Sequence, residues 1–113
     1  MGEDGRIDYV EFPAQDMIAT KRFYQQAFGW SFTDYGPSYA AFDEGIDGGF
    51  NADAADQART PLVILYADDL EAAEAKVRAA GGEIVRPAYD FPGGRRFHFR
   101  DPSGNELAVW TET

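Results

Sequence analysis

Two similar patterns of apolar and polar residues follow one another along the chain. In the first, residues 7–12 alternate in character and end at Pro13, which predicts a strand. Apolar residues at helical spacing then run from Asp16, a typical N-cap residue, to Gly29, a typical helix stop. This spacing predicts an amphipathic helix. Three short strands separated by turn residues are predicted to follow, at 30–33, 39–42 and 48–51.

The pattern restarts after a polar, alanine-rich connection at 52–60 that has no hydrophobic period. An apolar strand is predicted at 62–66, and Asp69 is predicted to cap a second helix that ends at residues 81–82. The buried stripe of this helix is predicted to contain Leu70, Ala73, Val77 and Ala80. The last three strands are predicted at 83–86, 95–100 and 106–110, with a turn at 101–105.

The two patterns correspond residue by residue at one fixed offset. Asp16 corresponds to Asp69, and Gly29 corresponds to Gly82. We expect both glycines to adopt the left-handed conformation of a helix stop. Solenoids and propellers need about three or more repeats, so two copies favour a pair of packed modules. The sequence therefore predicts an α+β fold, with a mostly antiparallel sheet and one outer helix in each module.

Composition narrows the kind of protein. A chain of 113 residues predicts a single domain, and its 44% hydrophobic content argues against disorder. Cysteine is absent, which excludes disulfides and thiolate metal sites and fits a reducing compartment. The net charge of −10 disfavours nucleic acid and anionic lipid as partners. No apolar run is long enough to span a membrane, and the first residues do not resemble a secretory signal. We therefore expect a cytoplasmic protein with no nucleic-acid or membrane partner.

Five segments of the chain carry a family resemblance. The first half contains P-A-Q-D-M and F-Y-Q-Q-A-F-G-W. The second half contains A-D-D-L-E-A-A and A-A-G-G-E-I-V, and R-D-P-S-G-N-E-L-A-V-W follows near the end of the chain. In this order, they resemble the vicinal oxygen chelate superfamily of glyoxalase I, bleomycin-resistance proteins and extradiol dioxygenases. The resemblance implies paired βαβββ modules, whose curved sheets enclose a cup with the helices outside, and a homodimer. We assign residues 1–113 to one such domain, with module one at about 6–51, a linker at about 52–60 and module two at about 61–111.

The resemblance also implies a divalent metal held by His, Gln and Glu side chains. The corresponding positions here are Tyr9, Leu62 and Ala108. Leucine and alanine have no donor atom, and a neutral phenol is a poor ligand for these ions. We therefore expect neither a metal nor another cofactor.

Strand alternation indicates what lines the cup instead. If the three positions above face it, then Glu11, Ile64, Tyr66, Glu106 and Trp110 face it too. Such an aromatic and apolar surface with a few carboxylates is typical of a pocket for a small organic molecule. A filled interior would produce the same pattern, and the sequence leaves that alternative open.

Four charged or titratable residues are candidates for chemistry. His98 is the only histidine and the first candidate for a general base, and Glu11 is the second. Each residue also has a purely structural interpretation, His98 as a partly buried hydrogen-bonded histidine and Glu11 as a solvated carboxylate at a strand end. Arg95 and Arg96 follow a Pro-Gly-Gly loop and could clamp an anion, or could only offset the acidic surface. The complete predicted ligand-binding set is Tyr9, Glu11, Leu62, Ile64, Tyr66, Arg95, Arg96, His98, Ala108 and Trp110.

Three functions follow from these features. The leading hypothesis is a metal-free member of the family that binds a small apolar or aromatic molecule in its cup as a homodimer. The second is a lyase or isomerase of glyoxalase type that uses His98 and Glu11, or a metal. The third is a dimeric accessory protein whose cup is filled.

Overall fold

The computed structural model describes residues 2–113 and contains two βαβββ modules. The predicted α+β class is confirmed. The chain divides into two compact units, Tyr9–Leu62, called here the first module, and Val63–Thr113 with the residues up to Asp8, called here the second module. The first five elements are β1 (Ile7–Pro13), α1 (Met17–Phe28), β2 (Thr33–Asp34), β3 (Tyr39–Asp43) and β4 (Asp47–Asn51). The last five are β5 (Leu62–Tyr66), α2 (Leu70–Ala79), β6 (Glu83–Phe91), β7 (Gly94–Arg100) and β8 (Glu106–Glu112).

Strands β1 to β4 pair in the order β2-β3-β4-β1. The β2–β3 and β3–β4 pairs are antiparallel, and β1 lies parallel to β4 with Phe12 opposite Phe50. These two rings stack at a centroid distance of 5.3 Å. Phe42, Phe50 and Ala14 form the buried centre of an aromatic core against which Tyr24 and other rings pack. Burial of these rings is the main stabilising contribution to the first module.

Strands β5 to β8 pair in the corresponding order, β5-β8-β7-β6. Strand β5 lies parallel to β8, and the other two pairs are antiparallel, so the mostly antiparallel pairing predicted from the sequence is confirmed. The core contains Leu70 of α2 with Phe97 and Val109 of the sheet, and Leu65 packs against it. Leu65 and Val109 alternate along their strands with residues that point to the opposite face of the sheet.

The helix caps follow the prediction at three of four ends. The carboxylates of Asp16 and Asp69 accept hydrogen bonds from the backbone N–H three residues later. Gly29 ends α1 in the left-handed conformation, with φ 72°. The prediction for Gly82 was wrong, because the left-handed residue is Gly81, with φ 99°.

The end of α2 explains this shift by one residue. The N–H of Gly81 donates to the carbonyl of Arg78, and the N–H of Gly82 donates to the carbonyl of Val77 at 2.8 Å. These two bonds form a Schellman motif, in which the residue after the C-cap is left-handed and the next one is not, and the C-cap here is Ala80.

Strand β6 is longer than predicted. The expected strand stopped at Arg86, but β6 continues through Pro87 to Phe91 and turns at Pro92 into β7. Proline is tolerated here because β6 ends the strand order of its module and its pairing with β7 is irregular on both sides of Arg86. The extension places Tyr89 in the sheet.

Helix α1 is more exposed than its apolar spacing suggested. None of its residues is buried, and Phe23 and Phe28 are 55% and 65% exposed. Within residues 2–113, neither helix is long and apolar enough to cross a membrane.

Candidate functional site

His98 lies in the middle of β7 and is only 2% exposed. Burial lowers its pKa, because the imidazolium would lose its hydration, while the carboxylate of Glu106 acts in the opposite direction. The neutral ring is therefore favoured at pH 7.

Both ring nitrogens of His98 have partners. Nδ1 lies 2.9 Å from Oε2 of Glu106, and Nε2 lies 3.0 Å from the hydroxyl of Tyr89. An ionised carboxylate only accepts hydrogen bonds, so we assign the proton of the neutral ring to Nδ1. Nε2 is then the acceptor of the Tyr89 hydroxyl proton. The three side chains form one hydrogen-bonded chain in the order Glu106, His98, Tyr89.

Two arginines lie beside Tyr89. Nε of Arg96 donates to the Tyr89 hydroxyl, and the guanidinium carbon of Arg86 lies 3.9 Å from the centre of the Tyr89 ring. Arg96 is 6% exposed, and its guanidinium carbon lies 5.5 Å from the centres of the Tyr89 and Phe91 rings. Coulomb attraction to these two cations favours a negatively charged group next to the Tyr89 hydroxyl.

Strand register explains how these side chains meet. His98 lies opposite Ala108 of β8, which in turn lies opposite Ile64 of β5. Two residues along each strand, Arg96, Trp110 and Tyr66 form the next row in the same register. Residues two apart in a strand point to the same face. We call this surface the His98 face and define it as Ile64, Tyr66, Tyr89, Phe91, Arg96, His98, Ala108 and Trp110.

Aromatic rings form one end of the His98 face. The ring of Trp110 meets Tyr66 edge to face at 5.2 Å and lies 6.1 Å from Phe91. The indole N–H of Trp110 donates to the carboxylate of Asp8 at 2.9 Å, which fixes the ring. Tyr66 is buried, whereas Trp110, Phe91 and Tyr89 are half-buried. The half-buried rings are where a molecule could reach this face.

Arg95 lies away from this face, although the sequence analysis grouped it with Arg96. Its guanidinium contacts Glu71 of α2 at 2.7 Å and Asp90 at 3.1 Å. Helix α2 packs on the side of the sheet opposite His98, since Leu70 contacts the core that contains Phe97. The structure therefore places only Arg96 of the two arginines next to His98.

Tyr9 and Glu11 belong to a separate cluster in the first module. The Tyr39 hydroxyl donates to Glu11 at 3.0 Å, and the hydroxyls of Tyr9 and Tyr39 lie 2.7 Å apart. Burial raises the pKa of Tyr9 to about 12. The pKa of Tyr39 is raised as well, by burial and by the charge of Glu11. Both phenols are therefore neutral, and the carboxylate of Glu11, which is 4% exposed, accepts from Tyr39.

The residues at the family's metal positions do not fit a divalent ion. Tyr9 is a neutral phenol engaged with Tyr39, and Leu62 and Ala108 are buried hydrocarbon side chains. Across residues 2–113, no three His, Cys, Asp or Glu side chains are grouped so that they could hold a metal. The side chains at these three positions therefore offer no set of ligands for the ion.

Two open cavities lie elsewhere in the modules. A cavity of about 490 Å³ lies beside α1 in the first module, and one of about 250 Å³ lies between α2 and the sheet in the second. His98, Tyr89 and Trp110 line neither of them. The two cavities are therefore distinct from the hydrogen-bonded chain at His98.

Sequence reasoning missed Tyr89, Arg86 and Tyr39, and it named Glu106 only as a residue facing the cup. Pro87 led to a predicted end of β6 before Tyr89. The aromatic residues Tyr89 and Phe91, two positions apart, were the signal that the strand continues. No sequence signal connects Tyr39 with Glu11, because their contact depends on strands that are 28 residues apart.

The chain matches a known family over most of its length. The sequence model of the Glyoxalase/Bleomycin resistance protein/Dioxygenase superfamily covers residues 6–109. The chain therefore belongs to this superfamily, and the resemblance found in the sequence is confirmed.

Two curated proteins are similar in sequence to this chain. The "Putative glyoxylase CFP32" of Mycobacterium tuberculosis is 28% identical, with 94% of this chain and 45% of that protein covered. The anthracycline biosynthesis protein DnrV of Streptomyces peucetius is 31% identical, with 94% and 46% covered. The chain spans about half the length of the curated relatives it matches.

A solved structure supports the same fold. The Mn(II)-bound glyoxalase from Novosphingobium aromaticivorans is 26% identical to this chain, with a TM-score of 0.67. The match covers 98% of this chain and 40% of that one.

Proposed function

We propose that this superfamily member binds a small aromatic molecule on the His98 face, without a metal ion. The observation that carries the proposal is the contact of Trp110 with the rings of Tyr66 and Phe91, together with the buried cation of Arg96, which lies 5.5 Å from the centre of the Phe91 ring. Rings of this kind stack on planar ligands, and a few fixed polar groups select their orientation.

The polar groups are fixed before a ligand arrives. The indole of Trp110 is held by Asp8, and His98 is held between Glu106 and Tyr89. Side chains that are already ordered lose little further entropy on binding, which favours affinity. The likeness to DnrV, a protein of anthracycline biosynthesis, also supports an aromatic ligand.

The proposal is tested by a calorimetric screen of small aromatic compounds, with and without EDTA. We expect at least one hit whose affinity does not depend on EDTA. Losing the stacking of one ring costs roughly 0.5–1.5 kcal/mol beyond burial. Trp110→Ala should therefore weaken the hit about two- to tenfold or more, and so should Tyr66→Ala, which removes the buried ring that packs against Trp110.

A matched control lies on the other side of the second module. Glu74 is on α2 and pairs with Arg78 at 2.7 Å, so Glu74→Ala should leave ligand affinity unchanged. A hit that weakens in Glu74→Ala and not in the two ring variants would contradict the proposal. A screen without hits would favour a filled interior and an accessory function, in agreement with the burial of His98, Ala108 and Ile64.

The metal is tested on the same preparation. The protein is incubated with zinc, nickel, manganese and iron and then desalted. We expect elemental analysis to show well under one ion per chain. One retained ion per chain would favour a metal-dependent enzyme.

A second candidate function is a lyase or isomerase that moves a proton on its substrate. The chain from Glu106 through His98 to Tyr89 favours it, because a buried neutral imidazole held by a carboxylate is an arrangement suited to a general base. Glu11, the other candidate base, lies in the first-module cluster and accepts from Tyr39. Turnover of a bound aromatic hit that is lost in His98→Gln would support this function, and unchanged turnover would exclude His98 as the base.

A further inference from the structure

The hydrogen-bonded chain at His98 connects two different environments. Glu106 is 37% exposed at one end, His98 is 2% exposed in the middle, and Tyr89 is half-buried among the aromatic rings at the other end. Each link is of hydrogen-bond length, 2.9 Å and 3.0 Å. A chain of this kind can pass charge without moving any heavy atom far.

We infer that Glu106, His98 and Tyr89 form a proton relay that deprotonates the hydroxyl group of an aromatic ligand, and this inference rests on the ligand site proposed above. The ligand class is therefore a phenol or a similarly acidic hydroxyl on a planar ring. Tyr89 is the residue that contacts the ligand hydroxyl, and His98 is the final proton acceptor.

The transfer balances in two steps. The ligand O–H bond breaks as its proton moves to the Tyr89 oxygen, and the original Tyr89 proton moves to Nε2 of His98. Nδ1 of His98 keeps its proton, which Glu106 continues to accept. The products are an aryl oxide, a neutral Tyr89 and an imidazolium paired with a carboxylate. No oxidant, reductant or further reactant is needed.

Charge around the relay favours these products. Arg96 donates to the Tyr89 oxygen, and Arg86 lies over the Tyr89 ring, so a ligand oxide next to Tyr89 would lie near two cations. Without a ligand anion, the same two cations oppose a charge on His98, as does burial. Arrival of the anion offsets this opposition, so protonation of His98 is coupled to ligand binding.

The order of the side chains is also what a relay requires. Tyr89, not His98, lies at the half-exposed aromatic end, so a ligand meets the phenol first. The partly exposed carboxylate of Glu106 gives the opposite end access to water. A purely structural histidine would need neither feature.

The probe for the test is 4-nitrophenol, whose visible absorption differs between phenol and phenolate. Binding is measured at a pH about one unit below the pKa of the free compound, where most of the compound is the neutral phenol. We expect the bound compound to show the phenolate absorption. In protein labelled with ¹⁵N-histidine, the single histidine should change from one protonated nitrogen to two when the probe binds.

Tyr89→Phe removes the proton path and keeps both arginines. We expect the ratio of bound phenolate to bound phenol to fall at least about tenfold, a change equal to one pKa unit. The histidine spectrum should then stay that of the neutral ring. Tyr35→Phe is the matched control, because Tyr35 is 66% exposed in the first module, and it should behave like the wild type.

A second compound, 4-nitroanisole, has the same ring but no hydroxyl proton. It should bind wild type and Tyr89→Phe with affinities within about twofold of each other, which shows that the variant is folded and its ring site intact. Binding of 4-nitrophenol as the neutral phenol, or undiminished phenolate in Tyr89→Phe, would overturn the relay while leaving the ligand site in place. Failure of both compounds to bind would overturn the ligand site and the relay together.

Discussion

The Nδ1 atom of His98 lies 2.9 Å from Oε2 of Glu106, so a side chain that is 2% exposed is joined to a carboxylate that is 37% exposed. The two residues lie on neighbouring antiparallel strands, where His98 of β7 is opposite Ala108 and Glu106 of β8 is opposite Arg100. This pairing fixes the ring orientation of His98 and assigns the proton to Nδ1. Most of the chemistry proposed for this chain follows from it.

The first prediction concerns the charge of Glu106. Glu106→Gln keeps an oxygen that accepts from Nδ1 but removes the negative charge, which raises the pKa of His98 in the wild type. The pKa of His98 should therefore fall further in the variant. Proton NMR measures it directly, since the chain has one histidine.

Glu112→Gln serves as the control for this titration. Glu112 is an exposed residue at the end of β8, and its substitution removes the same charge farther from His98. An equal change of the His98 pKa in both variants would mean that overall charge, and not the contact with Glu106, is responsible.

The second prediction concerns stability and pH. The pKa of His98 is lower in the folded protein than its ordinary value of about 6.5, so the unfolded chain binds this proton more readily. The stabilisation from a neutral His98 is therefore complete above about pH 6.5 and is lost as the pH falls through the folded pKa. One such group contributes a slope of at most about 1.4 kcal/mol per pH unit.

Urea denaturation between about pH 7 and 5.5 tests this expectation, because most carboxylates stay ionised in that range. The free energy of unfolding should fall with pH in the wild type and fall less steeply in His98→Gln. Equal slopes in the two proteins would remove His98 as the cause.

The third prediction concerns Gly29 and Gly81, the left-handed glycines at the ends of the two helices. A Cβ atom added at either position would meet no atom within 4 Å, so backbone strain is the main cost expected of a substitution. Valine at φ 72° or 99° should destabilise the protein by roughly 1–3 kcal/mol. Gly29→Asn should cost less than Gly29→Val, because asparagine tolerates this conformation. Equal denaturation midpoints for wild type and the valine variants would contradict these helix ends.

Local sequence patterns predicted the parts of the fold that depend on contacts between residues close in sequence. Asp16 and Asp69 were identified as caps because an aspartate before the first turn can accept a hydrogen bond from the free backbone N–H three residues later. The stop of α2 was missed by one residue, since Gly81 and Gly82 are both glycine and only the hydrogen bonds of the Schellman motif distinguish them.

The candidate site was predicted less completely because its contacts are not local. Strand alternation predicted that Tyr66 and Trp110 share a face, and the register of β5, β8 and β7 places His98 on the same face. Tyr89 reaches His98 only because β6 continues past Pro87. The pairing of β6 with β7 is irregular on both sides of Arg86, and the period of a strand does not predict the size of such a register shift. The spacing of Tyr89 and Phe91 could have indicated that the strand continues, but the contact of Tyr89 with His98 could not be predicted from the sequence.

The fourth prediction separates two tyrosines of the first module. Tyr39→Phe removes a hydrogen bond to the buried carboxylate of Glu11, and bonds to charged groups contribute about 1.5–3 kcal/mol. Tyr9→Phe removes only the neutral bond between the two phenols, for which about 0.5–1.5 kcal/mol is expected. Urea denaturation should therefore rank Tyr39→Phe as the more destabilised variant. The reverse order would show that Glu11 does not depend on Tyr39.

The last prediction is that the chain forms a homodimer through helix α1. Ile18, Phe23 and Phe28 are 71%, 55% and 65% exposed, and the rings of Phe23 and Phe28 lie 6.3 Å apart. The exposed rings of Phe23 and Phe28 pack against each other, and a contiguous exposed apolar patch is typical of a surface that is covered by a partner. Light scattering at micromolar concentration should give about 25 kDa, twice the chain mass of 12.5 kDa. Phe28→Ser should lower the measured mass toward one chain, whereas Arg22→Ser, a polar change on the same helix, should not. A single-chain mass of the wild type at high concentration would exclude the dimer, and a dimer that persists in Phe28→Ser would place its interface elsewhere.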